Sequence, residues 1–266
     1  MYATNYARAT SLADAAARIG AASDGKFLAG GQTLLATMKQ RLAAPTDLVD
    51  VTRIPDLSGI KVTGDAVVIG AATRHYDVAT SADVKAALPA LASLAAGIGD
   101  PAVRHMGTIG GSVANNDPAA DYPAAVLALG ATIHTSKRKI AAADYFQGMF
   151  TTALEPDEII TAISFPIPAK AAYAKFPNPA SRYALTGVFV AKMKDGSARV
   201  AVTGAGEGGV FRASALEQAL SSNWSAAALA GASIPADGLL SDIHGTAEYR
   251  ANLIVVMARR AVAAAG

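Results

Sequence analysis

The sequence predicts an α+β protein of three lobes, and three observations predict it. The chain has 266 residues, 52% of them hydrophobic and 17% charged, which is long and apolar enough for a sizeable core and excludes a disordered chain. Short apolar runs bounded by Gly, Pro, Asn and Asp alternate with stretches whose apolar residues recur at helical spacing. Prolines at 55, 166 and 168 interrupt this pattern and set lobes at residues 1–57, 58–168 and 169–266, since proline cannot donate within a sheet ladder.

The elements follow in order. Ser11 with Asp14 marks a helix start, and Leu12, Ala15, Ala16 and Ile19 form its apolar face. Lys26 to Ala29 reads as a short buried strand that ends in Gly30-Gly31-Gln32-Thr33. A helix with Leu34, Leu35, Met38 and Leu42 comes next, and Asp47 to Val51 is a second strand. In the second lobe Ala66 to Ala72 is an apolar strand and Asp83 to Ala96 a helix that runs through Pro89. Thr108 to Asp121 shows neither period and reads as a glycine turn with an Asn-Asp-Pro loop. A helix at Pro123 to Leu129, a strand at Thr132 to Ser136, a loop or helical turn at Asp144 to Leu154 and a strand at Glu158 to Ile167 complete that lobe. In the third, Tyr183 to Met193 and Ala198 to Thr203 are strands joined at Asp195-Gly196. Helices follow at Ala213 to Leu220, at Ser225 to Ala230 and from Thr246 onward, the last with Tyr249, Leu253, Val256 and Met257 as its buried stripe.

Composition removes several classes of function. A formal net charge of +2 and the lack of any basic run interleaved with aromatics argue against nucleic-acid binding. Cysteine is absent, so the chain holds no disulfide, thiolate metal site or iron–sulfur cluster. His75, His105, His134 and His244 are scattered without ligand spacing, and no metal site is expected. The N-terminus has no apolar signal region, and the longest candidate, Leu253 to Ala258, is far too short to span a membrane. The expectation is a cytoplasmic protein with no transmembrane segment.

No Ser-His-Asp grouping or close carboxylate pair offers hydrolytic chemistry, so no catalytic side chain is assigned. The two Gly-Gly segments, at residues 30–31 and 110–111, are the chemical signal. Paired glycines let backbone approach a ligand, and amides at a helix start favour phosphate. Each taken alone is also explained by a tight turn. Two such sites on different lobes suit a pyrophosphate held between them, as in a dinucleotide cofactor that brings its own redox chemistry. Asp121 follows the second pair and either accepts hydroxyl bonds from the same ligand or caps the helix near Pro123.

Ala29-Gly30-Gly31-Gln32-Thr33-Leu34 and Thr108-Ile109-Gly110-Gly111-Ser112 resemble the two FAD-binding motifs of the molybdenum hydroxylase flavoprotein subunit. This is the medium chain of carbon monoxide dehydrogenase-like enzymes, similar to the central domain of xanthine dehydrogenases. The segments Gly97 to Arg104, Gly148 to Thr152, Lys175-Phe176 and Arg182 to Leu185 extend the resemblance over nearly the whole chain. It implies a two-subdomain FAD-binding fold of the vanillyl-alcohol oxidase type plus a small α+β C-terminal domain. It implies that residues 29–34 and 108–112 hold the pyrophosphate of a non-covalent FAD through amides and short hydroxyls. Asp121 would then meet ribityl or ribose hydroxyls, Ile98 the isoalloxazine ring, Ile160 the adenine and Lys175 the polar edge of the flavin. Ile98 and Ile160 read equally well as core residues, and Lys175 as a solvated lysine. Ser112 stands where the family commonly has Asn. By the same resemblance, FAD passes electrons from clusters in a small iron–sulfur subunit, reduced by a large molybdenum-cofactor subunit, to an external acceptor. A free-standing FAD-dependent oxidoreductase and a non-catalytic scaffold are the alternatives.

Overall fold

The computed structural model describes every residue from Met1 to Gly266. The chain begins with β1 (Asn5–Arg8), α1 (Leu12–Ala21), β2 (Gly25–Leu28), α2 (Leu34–Lys39) and β3 (Asp47–Asp50). These strands form a parallel sheet in the order β1-β3-β2. Helix α1 starts as its sequence dictates: Ser11 Oγ accepts from the Asp14 amide while the Asp14 carboxylate accepts from Thr10 N–H. Ala15 and Ile19 face the small core beneath. Strand β1, absent from the expected elements, is mostly exposed and therefore lacks an apolar run.

The second unit has a five-stranded antiparallel sheet in the order β4-β5-β10-β6-β7. Its strands are β4 (Ile60–Thr63), β5 (Ala66–Gly70), β6 (Thr132–Thr135), β7 (Lys139–Ala141) and the central β10 (Ile160–Pro166). Between β5 and β6 run α3 (His75–Thr80), α4 (Ala82–Ala87), α5 (Pro89–Ala96), α6 (Pro101–Met106), α7 (Ile109–Asn115) and α8 (Tyr122–Leu129). The single helix expected over residues 83–96 is two, because Leu88 leaves the helical region (φ −147°, ψ 65°) and Pro89 opens a new helix at its first position. The glycine segment expected as a loop contains α7, a helix of 7 residues, too short and too poor in large apolar residues for periodicity to show. A turn of helix, α9 (Ala142–Tyr145), and a hairpin of β8 (Phe146–Gly148) and β9 (Thr151–Thr152) lie between β7 and β10.

The third unit is an antiparallel sheet, β11 (Lys170–Pro177), β12 (Ala184–Lys192), β13 (Ala198–Thr203) and β14 (Phe211–Arg212), in that order. Helices α10 (Ser214–Ser222) and α11 (Ala247–Ala265) and a 3-10 turn at Ala226–Leu229 pack on it. Helix α8 of the second unit also packs on β12 and β13, so β12 is buried from Ala184 to Ala191 and reads as an unbroken apolar run. Arg199 of β13 fastens this contact by donating to the carbonyls of Ala128 and Leu127 at 2.8 and 2.9 Å at the end of α8. Of the stripe expected on α11, Leu253 and Met257 are buried, but Tyr249 is 42% exposed and packs edge-on against Phe176. Ile254, Ala258, Ala261 and Val262 complete the buried face instead.

Candidate functional site

A cavity of about 730 Å³ lies where the β2–α2 loop, the α6–α7 junction, the foot of β10 and residues 180–183 converge. It is lined by Ala29, Gly30, Gly31, Gln32, Thr33 and Leu34, by Ile98, Thr108, Gly110, Gly111 and Ser112, and by Asp121 and Ile160. Thus the two Gly-Gly segments, far apart in sequence, share one hollow. Two of the expected residues do not line it. Ile109 is fully buried in the core of the second unit, because the side of α7 it occupies faces the sheet. Lys175, expected either at the ligand or in solvent, has a side chain only 11% exposed and is bonded to Asp121 and Gly97.

The two segments differ in what they offer. None of the backbone N–H groups of residues 29–34 donates to another protein group. Strand β2 has ended and α2 begins at Leu34, so these amides fall between two hydrogen-bonding patterns, with Gly31 at φ +69° turning the chain. In the second segment the amides of residues 109–112 are taken, and only that of Thr108 has no protein acceptor. Ile109 N–H donates to Thr73 O at 3.0 Å, Gly110 to Ala71 O at 2.8 Å, Gly111 to Thr108 Oγ1 at 3.1 Å and Ser112 to Thr108 O at 3.0 Å. The expectation that both segments present runs of free amides is therefore corrected: residues 109–112 close their own helix start, and the segment presents hydroxyls, the Thr108 amide and bare glycine surface. Its glycines serve close approach. A Cβ at Gly110 would lie 2.5 Å from Ala71 Cβ, whereas one at Gly111 would meet only Thr108 Oγ1 at 3.0 Å and Ala29 Cβ at 3.6 Å. Gly30 answers to packing too: a Cβ there would lie 2.6 Å from Gly107 Cα and nearer still to Met106 O.

Asp121 is 5% exposed and makes no side-chain cap to α8, which removes the capping alternative. Its carboxylate accepts from the Tyr173 hydroxyl at 2.6 Å and from Lys175 Nζ at 3.0 Å. Burial pushes the Asp121 carboxyl above the usual carboxylate range, and Lys175 and Tyr173 oppose that push. Glu158, which also lines the cavity and is buried, is held down to about 2, mainly by its hydrogen bonds from Arg138 and against the cost of burial. Ile98, half-buried, and Ile160, 5% exposed, belong both to the cavity wall and to the core.

Several lining residues were not among those expected. His75, whose imidazole is lowered to about 4 by burial and the nearby Arg104, lies against Gly107. Asn115, Asp117, Arg182 and Tyr183 also line the hollow. His75 had no signal beyond being a histidine. Arg182 and Tyr183 sat in a segment that carried the resemblance, which was the available clue. No group of His, Cys, Asp or Glu is arranged to hold a metal ion, and no helix is long and apolar enough to cross a membrane.

A nucleotide-sized hollow with unpaired amides and glycines on two units is the setting in which the family relationships fall. The family model described as the FAD binding domain in molybdopterin dehydrogenase matches residues 2–168. The carbon monoxide dehydrogenase medium chain of Afipia carboxidovorans is 38% identical over 97% of this chain and 95% of its own length. The nicotine 6-hydroxylase medium subunit of Paenarthrobacter nicotinovorans is 35% identical, with 99% and 98% covered. The crystal structure of cyanide-inactivated Cu,Mo-CO dehydrogenase contains a chain that aligns with a TM-score of 0.87 at 36% identity, covering 99% of this chain and 98% of that one. Quinoline 2-oxidoreductase from Pseudomonas putida 86 gives a TM-score of 0.88 at 29% identity, covering 99% and 97%. The chain belongs to the FAD-binding family of the molybdopterin dehydrogenases. Its function is that of an FAD-binding medium subunit of a molybdenum hydroxylase.

Proposed function

We propose that FAD lies in the 730 Å³ cavity with its pyrophosphate on residues 29–34, and that the chain works as the electron outlet of a complex with a large molybdenum-cofactor subunit and a small iron–sulfur subunit. The run of unpartnered amides at residues 29–34 carries this reading. A polar backbone stretch at a cavity wall gains most from an anionic ligand. Gly30 lets this stretch pack against Met106 and Gly107, and Gly31 turns it at φ +69°. Thr108 and Ser112 add short polar groups from the facing segment, and the bare surface of Gly111 lets the ligand come close.

The remaining residues divide the cavity by chemistry. Asp121 repels phosphate and so belongs with the uncharged hydroxyls of the cofactor, where a carboxylate oxygen accepts well. Lys175 favours the charged form of that carboxylate against the cost of burial. Ile98 and Ile160 give two apolar surfaces, assigned to the isoalloxazine and the adenine. Bound FAD supplies the exchange of electrons between iron–sulfur clusters and an external acceptor. Residues 1–57 and 58–168 form the two halves of the binding unit in this reading, and residues 169–266 a separate domain. Carbon monoxide is one candidate substrate of the complex, beside aldehydes, purines and other N-heterocycles; the pocket that chooses among them is assigned to the large subunit.

The test is to purify the tagged chain with the subunits that accompany it and record the flavin absorbance and the subunit composition. Stoichiometric FAD with a molybdenum subunit and a cluster-bearing subunit is expected. A flavin-free chain that stays flavin-free after reconstitution refutes the cofactor site. Oxidation of carbon monoxide, an aldehyde or a purine by the FAD-loaded chain alone refutes the subunit role.

A further inference from the structure

Asp121 belongs to the second unit, yet the groups that hold it come from the third. Tyr173 on β11 donates its hydroxyl to Asp121 Oδ1 at 2.6 Å. Lys175, on the same face of that strand, approaches Oδ1 at 3.0 Å and Oδ2 at 3.2 Å and donates to Gly97 O at 2.8 Å. On β13 the Thr203 hydroxyl lies 2.6 Å from Ala120 O and 3.0 Å from Pro118 O, and Gly204 N–H donates to Pro118 O at 2.7 Å. The loop leading into Asp121 is thus fixed from outside its own unit. Between these strands Gly187 on β12 leaves room for the contact: a Cβ there would overlap the Tyr173 hydroxyl and come within 2.9 Å of Thr203 Cγ2. The absence of a side chain at Gly187 is what lets Tyr173 reach across its neighbour strand.

We infer that Tyr173 is a positioning residue for Asp121: it fixes the carboxylate through Oδ1, so that Oδ2, which Lys175 approaches at 3.2 Å, keeps a lone pair for a hydroxyl of the cofactor. This rests on the reading that Asp121 meets the hydroxylated part of FAD. A hydroxyl donor is suited to the task because it orients a carboxylate without adding charge to a buried site. The Tyr173 hydroxyl is itself raised well above its usual value by burial and by Asp121, so it stays protonated and donates. The charged and titratable groups facing Asp121 are Lys175 and Tyr173 on β11, Tyr122 beside it in α8 and Tyr183 at the cavity. Of these, Lys175 and Tyr173 favour the ionised carboxylate against burial. Removing the hydroxyl raises the carboxyl's affinity for a proton, and the protonated form is a weaker acceptor than the carboxylate.

Tyr173→Phe in the full chain, purified with its accompanying subunits, tests this by FAD dissociation constants from flavin fluorescence. About tenfold weaker binding is expected near pH 6, the worth of one hydrogen bond to a charged group. The loss should be smaller near pH 9 than near pH 6, because a higher pH favours the ionised carboxylate that the hydroxyl otherwise supports. Wild type should change less between the two. Gly187→Ala, which keeps the tyrosine but displaces its hydroxyl, should show the same pH-dependent loss. Wild-type affinity in Tyr173→Phe at both pH values overturns the inference, as does a loss that is equal at both, which marks a purely structural residue. Asp121→Ala separates the two readings. If it binds FAD as tightly as wild type, the assignment of Asp121 fails and the inference with it; if it binds weakly while Tyr173→Phe is unaffected, only the positioning role fails.

Discussion

Gly30→Ala and Gly111→Ala differ by one methyl group each, and the structure assigns them opposite outcomes. At Gly30 the new Cβ would stand 2.6 Å from Gly107 Cα and 2.7 Å from the Met106 carbonyl carbon. These are backbone atoms at the α6–α7 junction, and no rotamer change moves them. The first sheet must separate from the second unit along this contact. Overpacking of this kind costs about 1–3 kcal/mol, and immobile backbone places Gly30→Ala at the upper end. At roughly 2–4 °C per kcal/mol, a cost of about 3 kcal/mol lowers the melting temperature of the FAD-free chain by about 6–12 °C. At Gly111 the methyl group meets only Thr108 Oγ1 at 3.0 Å and Ala29 Cβ at 3.6 Å. The residue is inside α7, where replacing glycine by alanine returns about 0.5–1 kcal/mol of backbone entropy. The FAD-free melting temperature should therefore stay within about 2 °C of wild type. The methyl group projects where the cofactor's pyrophosphate is proposed to lie, so FAD binding should weaken by about tenfold or more, the equivalent of about 1.4 kcal/mol. Thermal melting by circular dichroism and flavin titration give the two readouts. Wild-type melting in Gly30→Ala refutes the packing account of that glycine. Unchanged FAD affinity in Gly111→Ala refutes the proposed position of the pyrophosphate.

Other perturbations have equally definite outcomes. Asp121→Ala leaves Tyr173 buried without its acceptor and the buried Lys175 charge with only the Gly97 carbonyl, so it should cost about 3–5 kcal/mol in the FAD-free chain as well as weakening FAD; unchanged urea unfolding would contradict the pairing. His75 has an ordinary value of 6.5 and is lowered to about 4 in the fold. The unfolded chain therefore binds a proton first, and FAD-free stability should fall as pH drops from 6.5 to about 4, by up to about 3 kcal/mol. His75→Gln should flatten that window, and a variant curve parallel to wild type would rule out His75 as the cause. Glu158 is lowered from 4.5 to about 2, so its contribution is complete above pH 4.5 and disappears toward pH 2. With Arg138 half-exposed, Glu158→Gln should cost about 2 kcal/mol at neutral pH and progressively less below that window, read from pH-dependent urea unfolding.

Legibility in the sequence followed the length of each signal. Strand β12 and the helix at Tyr122–Leu129 were readable because burial on every side leaves an unbroken apolar run. Strands β1, β4 and β11 lie at sheet edges and alternate too weakly to stand out. Helices α3, α6 and α7 have six or seven residues, less than the span over which a helical period can be counted. At the site, glycine pairs and Asp121 were visible as chemistry, but the local sequence does not say which amides already have partners. That depends on Thr73 and Ala71 lying beside the start of α7, a contact between segments remote in the chain. The partner of Lys175 was invisible for the same reason: a strand of one unit meets the ends of two helices of another, α5 at Gly97 and α8 at Asp121, and the sequence offers no register between them.

The dependence of residues 118–121 on Tyr173, Lys175, Thr203 and Gly204 has a consequence for how this protein can be divided. The stretch that matches the family model stops at residue 168, which invites its use as a self-contained FAD module for grafting onto other redox partners. Cut there, the module would keep the glycines and Asp121 but lose the atoms that fix the loop beneath them. The carboxylate would face open solvent on that side, free to rotate, and the donor sheet would carry an unpartnered Lys175. Chimeras of related subunits should therefore exchange residues 117–122 together with β11 to β13, or exchange neither. Transplanting one without the other creates a mismatch at a boundary that looks permissive in the sequence.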